Sequence, residues 1–266
     1  MNAILVVICV VALTLFGATV FKGMGAAMLL NPEALIIVCG GTIAAVLIGF
    51  PFKRIKSTLR DIAEAFGPTR DRPALTRDVL DIARAYRKTD IRGIEKKMHL
   101  MKDDFLRVGV SLLINHQGNE IIRNVMEREL SIRVMNSNFS QNVLKTIARL
   151  TPSFGLAGTV ISLIRMFREA QSVETIAPIM AVAMISTFYG VIISSLFMLP
   201  LCAKLKEHAI ESEALMHLAI EGIEAINNGE HPLRIEERLN GYCDPYETAL
   251  PDIGSRLVAA KGEPRL

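Results

Sequence analysis

Four long apolar stretches alternate with polar blocks along the chain. They cover about residues 2–21, 33–50, 148–167 and 177–201. Crossing ~30 Å of hydrocarbon takes roughly 20 helical residues, so each stretch is long enough to span a membrane once. Because lipid offers backbone amides no hydrogen-bond partner, we expect all four spans to be α-helices.

The polar block between the second and third spans has a helical pattern. Apolar residues recur at three- and four-residue spacing in DIARAYRKTD, IRGIEKKMHLMKDDFLRVGVSLLI and NEIIRNVMERELSIRVM. No run alternates as a half-buried strand does. We predict one long helix over about 119–166, kinked at Pro152. The residues that punctuate the block are Gly67, Pro68, Pro73, Gly93 and Gly118.

The predicted fold class is an all-α integral membrane protein. It has one transmembrane hairpin over residues 1–50 and a second over 148–202, with a cytoplasmic helical domain over 51–147 between them. The fourth span continues through HAIESEALMHLAIEGIEAI into a cytoplasmic helix and tail over 203–266, where IEERLNGY predicts a short helix.

Lysine and arginine set the predicted orientation. They concentrate after span two, before span three and after span four, at Lys53, Arg54, Lys56, Arg60, Lys145, Arg149, Lys204 and Lys206. Lys22, Arg165 and Arg168 lie at the opposite ends, which weakens the contrast without reversing it. This bias predicts that residues 51–147, residues 202–266 and both termini are cytoplasmic.

Composition narrows the possible functions. Hydrophobic residues make up 51% of the 266, yet 21% are charged, as expected of a polytopic membrane protein. A net charge of +3 and scattered basic residues do not favour nucleic-acid binding. No GxxxxGK[ST], GxSxG, GxGxxG or HxxxH pattern occurs. We therefore predict a chain that is not an enzyme, with no catalytic residues, metal site or cofactor.

The spans carry hydroxyl groups and small residues but no charge at mid-membrane depth. A proton or ion relay normally needs an intramembrane ionisable group, so a partner would have to supply it. Two faces with three- and four-residue spacing stand out: Pro152, Gly155, Thr159 and Ser162 on span three, and Ala183, Thr187, Gly190 and Ser194 on span four. They are explained by close helix packing, by a surface facing a partner's carboxylate, or by both.

Two prolines interrupt the backbone hydrogen bonds of these spans. Pro152 frees a carbonyl in the preceding turn, and the hydroxyls of Thr151 and Ser153 are the adjacent candidates to bind it. Pro200 has a similar effect at the cytoplasmic end of span four. Each proline makes either a structural kink or a hinge that responds to ion occupancy.

Sequence motifs now connect the chain to a known family. TPSFGLAGTVISLI in span three, MISTFYGVIISSLFMLPL in span four and the tail GEHPLRIEERLNGY resemble the flagellar motor stator A subunit, the MotA/PomA family of the MotA/TolQ/ExbB superfamily. The resemblance covers nearly the whole chain. Its four spans distinguish it from TolQ/ExbB-type energisers, which have three.

The resemblance implies a five-subunit ring of this chain in the bacterial inner membrane. The ring surrounds two copies of a B subunit, which carries an intramembrane aspartate and a peptidoglycan-binding domain. Thr159 and Thr187 match the positions that line the ion path, and Pro152 and Pro200 match the two prolines of conformational coupling. No cofactor is implied beyond the translocated H⁺ or Na⁺.

The resemblance also implies contact with the switch complex of the flagellar rotor. The rotor-facing positions match Arg87, Glu95 and Glu129, although Glu127 offers a neighbouring match to the last of them. The threonine at position 159 favours sodium, with proton as the alternative. Three other functions remain open: a related 5:2 energiser of the TolQ/ExbB or gliding type, a self-sufficient transporter or channel, and a membrane scaffold.

Overall fold

The structure is a computed structural model that describes residues 31–67, 71–88, 91–101, 103–169 and 173–241, together with Thr14 and Ala18. Apart from those two helical residues, the first predicted span lies outside the described part. Every regular element within the described ranges is a helix. This agrees with the predicted helical fold class.

The described chain forms ten α-helices and two π-helical turns. Before residue 119 these are α1 (Pro32–Leu35), a first π turn (Ile36–Gly40), α2 (Gly41–Gly49), α3 (Phe52–Ala65), α4 (Arg72–Arg87), α5 (Ile91–Leu100) and α6 (Asp104–Ile114). After it come α7 (Asn119–Glu169), α8 (Val173–Ile192), a second π turn (Ile193–Met198), α9 (Leu199–Asn227) and α10 (Pro232–Asn240).

Within the described ranges, three helical segments are long and apolar enough to cross a membrane. They are Pro32–Gly49, Asn119–Arg168 and Ile176–Asn227. These segments contain the predicted spans two, three and four. The long helix predicted over about 119–166 is confirmed as α7, which continues through Pro152 without interruption.

Two of the predicted punctuation points lie inside helices. Pro73 is in the first turn of α4, where a missing N–H costs little because first-turn amides have no helical acceptor. Gly93 is the third residue of α5, so it does not end a helix. The expectation of a break was wrong at Gly93, whereas Pro73 does mark a boundary, the start of α4.

Helix boundaries follow from capping side chains. Asn31 Oδ1 accepts hydrogen bonds from the amides of Glu33 and Ala34, at 3.1 and 3.2 Å, and so begins α1. Asp103 Oδ1 caps α6 in the same way. Gly229, with φ of +71°, lies between α9 and α10, in a backbone conformation that other residues rarely adopt. Each cap satisfies amides that the first helical turn leaves without acceptors.

The described chain divides into two compact units. Within the described ranges, the span unit comprises residues up to 63 and those from 139 to 205, and the core unit comprises residues from 64 to 138 and from 206 to 241. Helices α7 and α9 therefore each contribute to both units.

The core unit is built around large buried side chains. Phe105, Leu106 and Val110 of α6 are among them. Their neighbours in the same cluster include Leu75, Val79 and Ile82 of α4, Ile122 and Met126 of α7, Leu218 and Ile223 of α9, and Ile235 and Leu239 of α10. Arg72 Nη2 donates to the carbonyl of Leu239 at 2.9 Å, which joins α4 to the end of α10.

The span unit is packed differently. Many of its large apolar side chains face outward, as expected in lipid, and Ile48 and Phe167 are 88% and 83% exposed. Inside, Gly41 lies directly against the ring of Phe154, which brings the second span close to the third. Ser140 Oγ donates to Asp61 Oδ2 at 2.5 Å and joins α7 to α3.

Candidate functional site

The third and fourth spans meet backbone to backbone at two glycines. A methyl group placed on Gly155 would lie 2.9 Å from the carbonyl oxygen of Ser186 and 3.1 Å from Cα of Thr187. One on Gly190 would lie 2.8 Å from the carbonyl oxygen of Thr151. Only glycine allows this approach, so the two small-residue faces identified in the sequence pack against each other.

The carbonyl that Pro152 frees has a hydrogen-bond donor on the opposite span. Proline has no N–H, so the carbonyl of Ala148, four residues earlier, loses its helical donor. Ser194 Oγ donates to this oxygen at 2.6 Å, and the serine is 6% exposed. A side chain of the fourth span thus completes the hydrogen bonding of the third.

The prediction that Thr151 or Ser153 of the third span would donate to the carbonyl of Ala148 was wrong. Thr151 Oγ1 donates to the carbonyl of Ile147 at 2.6 Å, and Ser153 Oγ donates to that of Arg149 at 3.3 Å. A helical hydroxyl reaches back about one turn, to the carbonyl three or four residues earlier. Both hydroxyls use the carbonyl four residues earlier, and these two carbonyls lie on either side of Ala148 and leave its oxygen to another donor.

The two threonines of the predicted ion path lie beside the glycine contact. Thr187 Oγ1 donates to the carbonyl of Gly155 at 3.4 Å, and Thr159 Oγ1 donates to that of Leu156 at 2.5 Å. Both threonines are half-buried within the single chain. A hydroxyl that donates one bond keeps lone pairs on its oxygen, which can accept from a water or contact a cation.

Pro200 is the second residue of α9 and follows the second π turn. The amide of Leu199 donates to the carbonyl of Ser194, five residues earlier, where a regular α-helix would use the fourth. Such wide turns are rare and frequently occur at functional sites. The backbone hydrogen bonding therefore already departs from that of a regular α-helix immediately before this proline.

Two of the three predicted rotor-facing residues lie on the surface of the core unit. Arg87 is the last residue of α4, and Glu95 lies on α5; both are exposed. Charges presented in this way remain available to another molecule, where they would act on specificity more than on stability. Their role as a rotor contact stays a prediction.

Glu129 is held by a neighbour within the chain. Arg133 Nε donates to Glu129 Oε1 at 2.9 Å, and the same guanidinium lies 5.4 Å from the ring centroid of Phe105. The alternative, Glu127, accepts from Arg123 Nε, also at 2.9 Å. Both carboxylates are paired along the helix, so the geometry does not choose between them.

Arg123 also connects two helices of the core unit. Its Nη1 lies 3.7 Å from Glu224 Oε1 on α9. The hydrogen bond to Glu127, followed by the charge of Glu224, raises the pKa of Arg123 above its usual range. The guanidinium of Arg123 therefore stays charged at physiological pH.

The structure identifies polar residues whose importance the sequence did not reveal. Ser186 is fully buried, and its Oγ donates to the carbonyl of Ala183 at 2.8 Å. Ser194 belonged to the predicted small-residue face, but only the opposing helix reveals its acceptor. Tyr189 Oη accepts from the amide of Asn31 at 3.1 Å, and Arg165 pairs with Glu33. These contacts link span two to spans three and four.

Known proteins match this chain in sequence and in fold. The model of the MotA/TolQ/ExbB proton channel family matches residues 97–217. A second model, motility protein A N-terminal, matches residues 5–89. Together the two models place the chain in the class of MotA/TolQ/ExbB-type membrane proteins.

Individual relatives narrow the assignment. Motility protein A of Aquifex aeolicus is 33% identical over 212 residues, which cover 76% of this chain and 81% of that protein. Motility protein A of Treponema pallidum is 29% identical over 237 residues, or 88% and 90% of the two chains. A solved chain of the flagellar MotAB stator complex from Bacillus subtilis is 25% identical with a TM-score of 0.77, covering 94% of this chain and 98% of that one. The chain belongs to the motility protein A family.

Proposed function

We propose that this chain is the A subunit of an ion-driven stator unit that turns the bacterial flagellar rotor. Its family membership supports this function, and the match over residues 5–89 to the motility protein A N-terminal model favours a flagellar machine over another envelope process. In the proposed complex a B subunit supplies the intramembrane aspartate that the spans of this chain lack.

The observation that carries the proposal is the position of the two threonines. Thr187 and Thr159 lie beside the glycine contact of spans three and four, in helices with no charged residue at mid-depth. An ion that neutralises the partner's aspartate there changes the preferred packing between the two chains. The hydroxyl oxygens replace part of a hydration shell, or hold the water that a proton needs.

The ion gradient supplies the energy in this mechanism. One charge that crosses ~100 mV releases about 2.3 kcal/mol, so no nucleotide is required. Pro152 and Pro200 are the points at which the helices adjust to ion occupancy. We favour sodium because of the hydroxyl at Thr159, and proton is the alternative.

The assembly and topology complete the proposal. Four spans cross the inner membrane with both termini in the cytoplasm, and five copies surround two B subunits. The domain over residues 51–147 transmits torque to the switch complex through Arg87, Glu95 and Glu129. We propose no catalytic residue, metal site or cofactor for this chain.

Substitutions at Thr187 test the proposal in a strain whose own copy of the gene is deleted. Thr187→Ala removes the hydroxyl, whereas Thr187→Ser keeps it and serves as the matched control. We expect the alanine variant to rotate tethered beads far more slowly at equal membrane level, and the serine variant to retain most of the speed. Equal speeds in all three strains would contradict the ion-path assignment.

The deletion strain tests the function itself. If the chain is a stator subunit, the deletion abolishes rotation while flagella still assemble, and the plasmid-borne gene restores it. Pro152→Leu, at normal expression, should fail to restore rotation. A deletion strain that swims normally would sink the proposed function.

A further inference from the structure

One serine joins the two proline-containing regions of the span unit. The side chain of Ser194 donates to the carbonyl of Ala148, which Pro152 has left without its helical donor. The backbone carbonyl of the same serine accepts from Leu199 and closes the π turn before Pro200. Ser194 thus takes part in hydrogen bonds next to both prolines, one through its side chain and one through its backbone carbonyl.

The hydrogen bond lies where water cannot easily replace it. Ser194 and Ala148 are 6% and 5% exposed. A backbone carbonyl without a partner costs several kcal/mol in hydrocarbon, so Pro152 is tolerable here only with a substitute donor. The neighbouring hydroxyls of Thr151 and Ser153 are directed to other carbonyls. Ser194 is therefore the donor on which this position depends.

The bond also fixes the axial register of two helices. Near it the backbones touch at Gly190, whose added methyl group would lie 3.1 Å from Cα of Pro152. Glycine has no side chain that interlocks with a neighbour, so contacts at glycine allow one helix to slide along the other. A hydrogen bond between a side chain and one particular carbonyl does not allow this. The register set at Ser194 determines which turn of span three faces Thr187, because Thr187 lies about two turns away on the same face.

We propose that Ser194 is a positioning residue for ion passage: it holds the carbonyl freed by Pro152 and thereby sets the places of Thr159 and Thr187 opposite the partner's acid. The proposal rests on the proposed function, since it concerns the same ion path. A movement that breaks this one bond releases span three at Pro152, at a residue that also belongs to the π turn before Pro200.

The first test measures how rotation speed depends on ion concentration. Ser194→Ala is compared with Ser195→Ala, which changes the exposed neighbouring serine of the same π turn. We expect the ion concentration at half-maximal speed to rise several-fold for Ser194→Ala, because supporting residues that orient an ion site typically have such effects. Ser195→Ala should behave as the unaltered chain. An unchanged half-saturating concentration in Ser194→Ala would overturn the proposal.

A second test remains decisive if Ser194→Ala assembles poorly. Pro152→Ala restores the N–H that the carbonyl of Ala148 needs, so the serine becomes dispensable for it. We expect Ser194→Ala to lower the melting temperature of the purified complex with the B subunit by about 2–4 °C. In the Pro152→Ala background the same change should have a clearly smaller effect, or assembly should be recovered. Equal shifts in both backgrounds would refute the shared carbonyl.

The two proposals fail in different ways. If the gene deletion does not affect motility, the proposed function is wrong and the role proposed for Ser194 in ion passage is wrong with it. If the deletion stops rotation but Ser194→Ala leaves the ion dependence unchanged, the chain remains a stator subunit and only the positioning role of Ser194 is refuted.

Discussion

The span unit and the core unit are stabilised by opposite kinds of side chain. In the core unit, large apolar residues such as Phe105 and Leu106 are buried against one another. In the span unit, residues of comparable size point outward, and the interior contacts involve Gly155, Gly190 and Ser194. The reversal has a physical cause, because lipid removes the hydrophobic driving force between helices and leaves close packing and hydrogen bonds to hold them.

This difference determines what each unit can do. A core of interlocking large side chains gives a rigid body, as torque transmission requires. Spans held by glycine contacts and a few hydroxyl–carbonyl bonds can exchange one packing for another by breaking a small number of specific contacts. Substitutions in the two units should therefore differ in size and in the property they change.

The largest expected effect is in the core unit. Phe105→Ala removes a ring that is 2% exposed and should destabilise the unit by about 3–5 kcal/mol. We expect degraded or aggregated protein, measured as a fall in steady-state level and in melting temperature. Leu59→Ala, at an exposed position, is the control and should be near neutral. A Phe105→Ala variant as stable as the control would argue against this core.

In the span unit, the corresponding disruption of packing comes from adding a methyl group to a glycine. Gly190→Ala places its methyl 2.8 Å from a carbonyl oxygen of the facing backbone and should cost about 1–3 kcal/mol. Gly40→Ala is the matched control, since nothing lies within 4 Å of its added methyl. We expect Gly190→Ala to reduce both stability and rotation, and Gly40→Ala to be neutral or mildly stabilising. Similar results for both would mean that the spans are not in close contact.

Helix caps should behave alike in the two units. Asp103 caps α6 of the core unit, and Asn31 caps α1 of the span unit, each through two backbone amides. Alanine at either position should cost about 1 kcal/mol, while Asp103→Asn should retain most of the stability. Thermal melting measures both. A much larger loss at one of them would reveal a second role for that side chain.

The smallest expected effect is at the exposed ion pair between Glu33 and Arg165. Both side chains are about half exposed, so Glu33→Gln should cost no more than about 1 kcal/mol. Added salt should weaken the pair in the unaltered protein and have little further effect on the variant. Melting curves at low and high salt test this, and a large salt-independent loss would contradict the assignment.

Much of the fold was predictable from hydrophobic periodicity. The long helix α7 and the continuation of the fourth span into α9 follow from apolar spacing that lipid or a core must bury. Gly93 was misread as a break, because local propensity cannot distinguish a tolerated glycine from a true helix end.

The candidate site was predictable only as a set of residue types. Threonine, serine and glycine at helical spacing indicated two small-residue faces, and Pro152 indicated a freed carbonyl. Which hydroxyl donates to that carbonyl depends on the axial register of the facing helix, and a shift of one turn would bring a different residue to it. No pattern within span three contains that register, so Ser194 could not be identified as the donor without the structure.

Ion flux into sealed vesicles tests the central claim most directly. The chain is reconstituted alone, with the B subunit, and with a B subunit whose intramembrane aspartate is replaced by asparagine. We expect flux only with the unaltered B subunit, and loss of that flux when Thr187→Ala is introduced. Sustained sodium or proton flux through vesicles that contain this chain alone would contradict it.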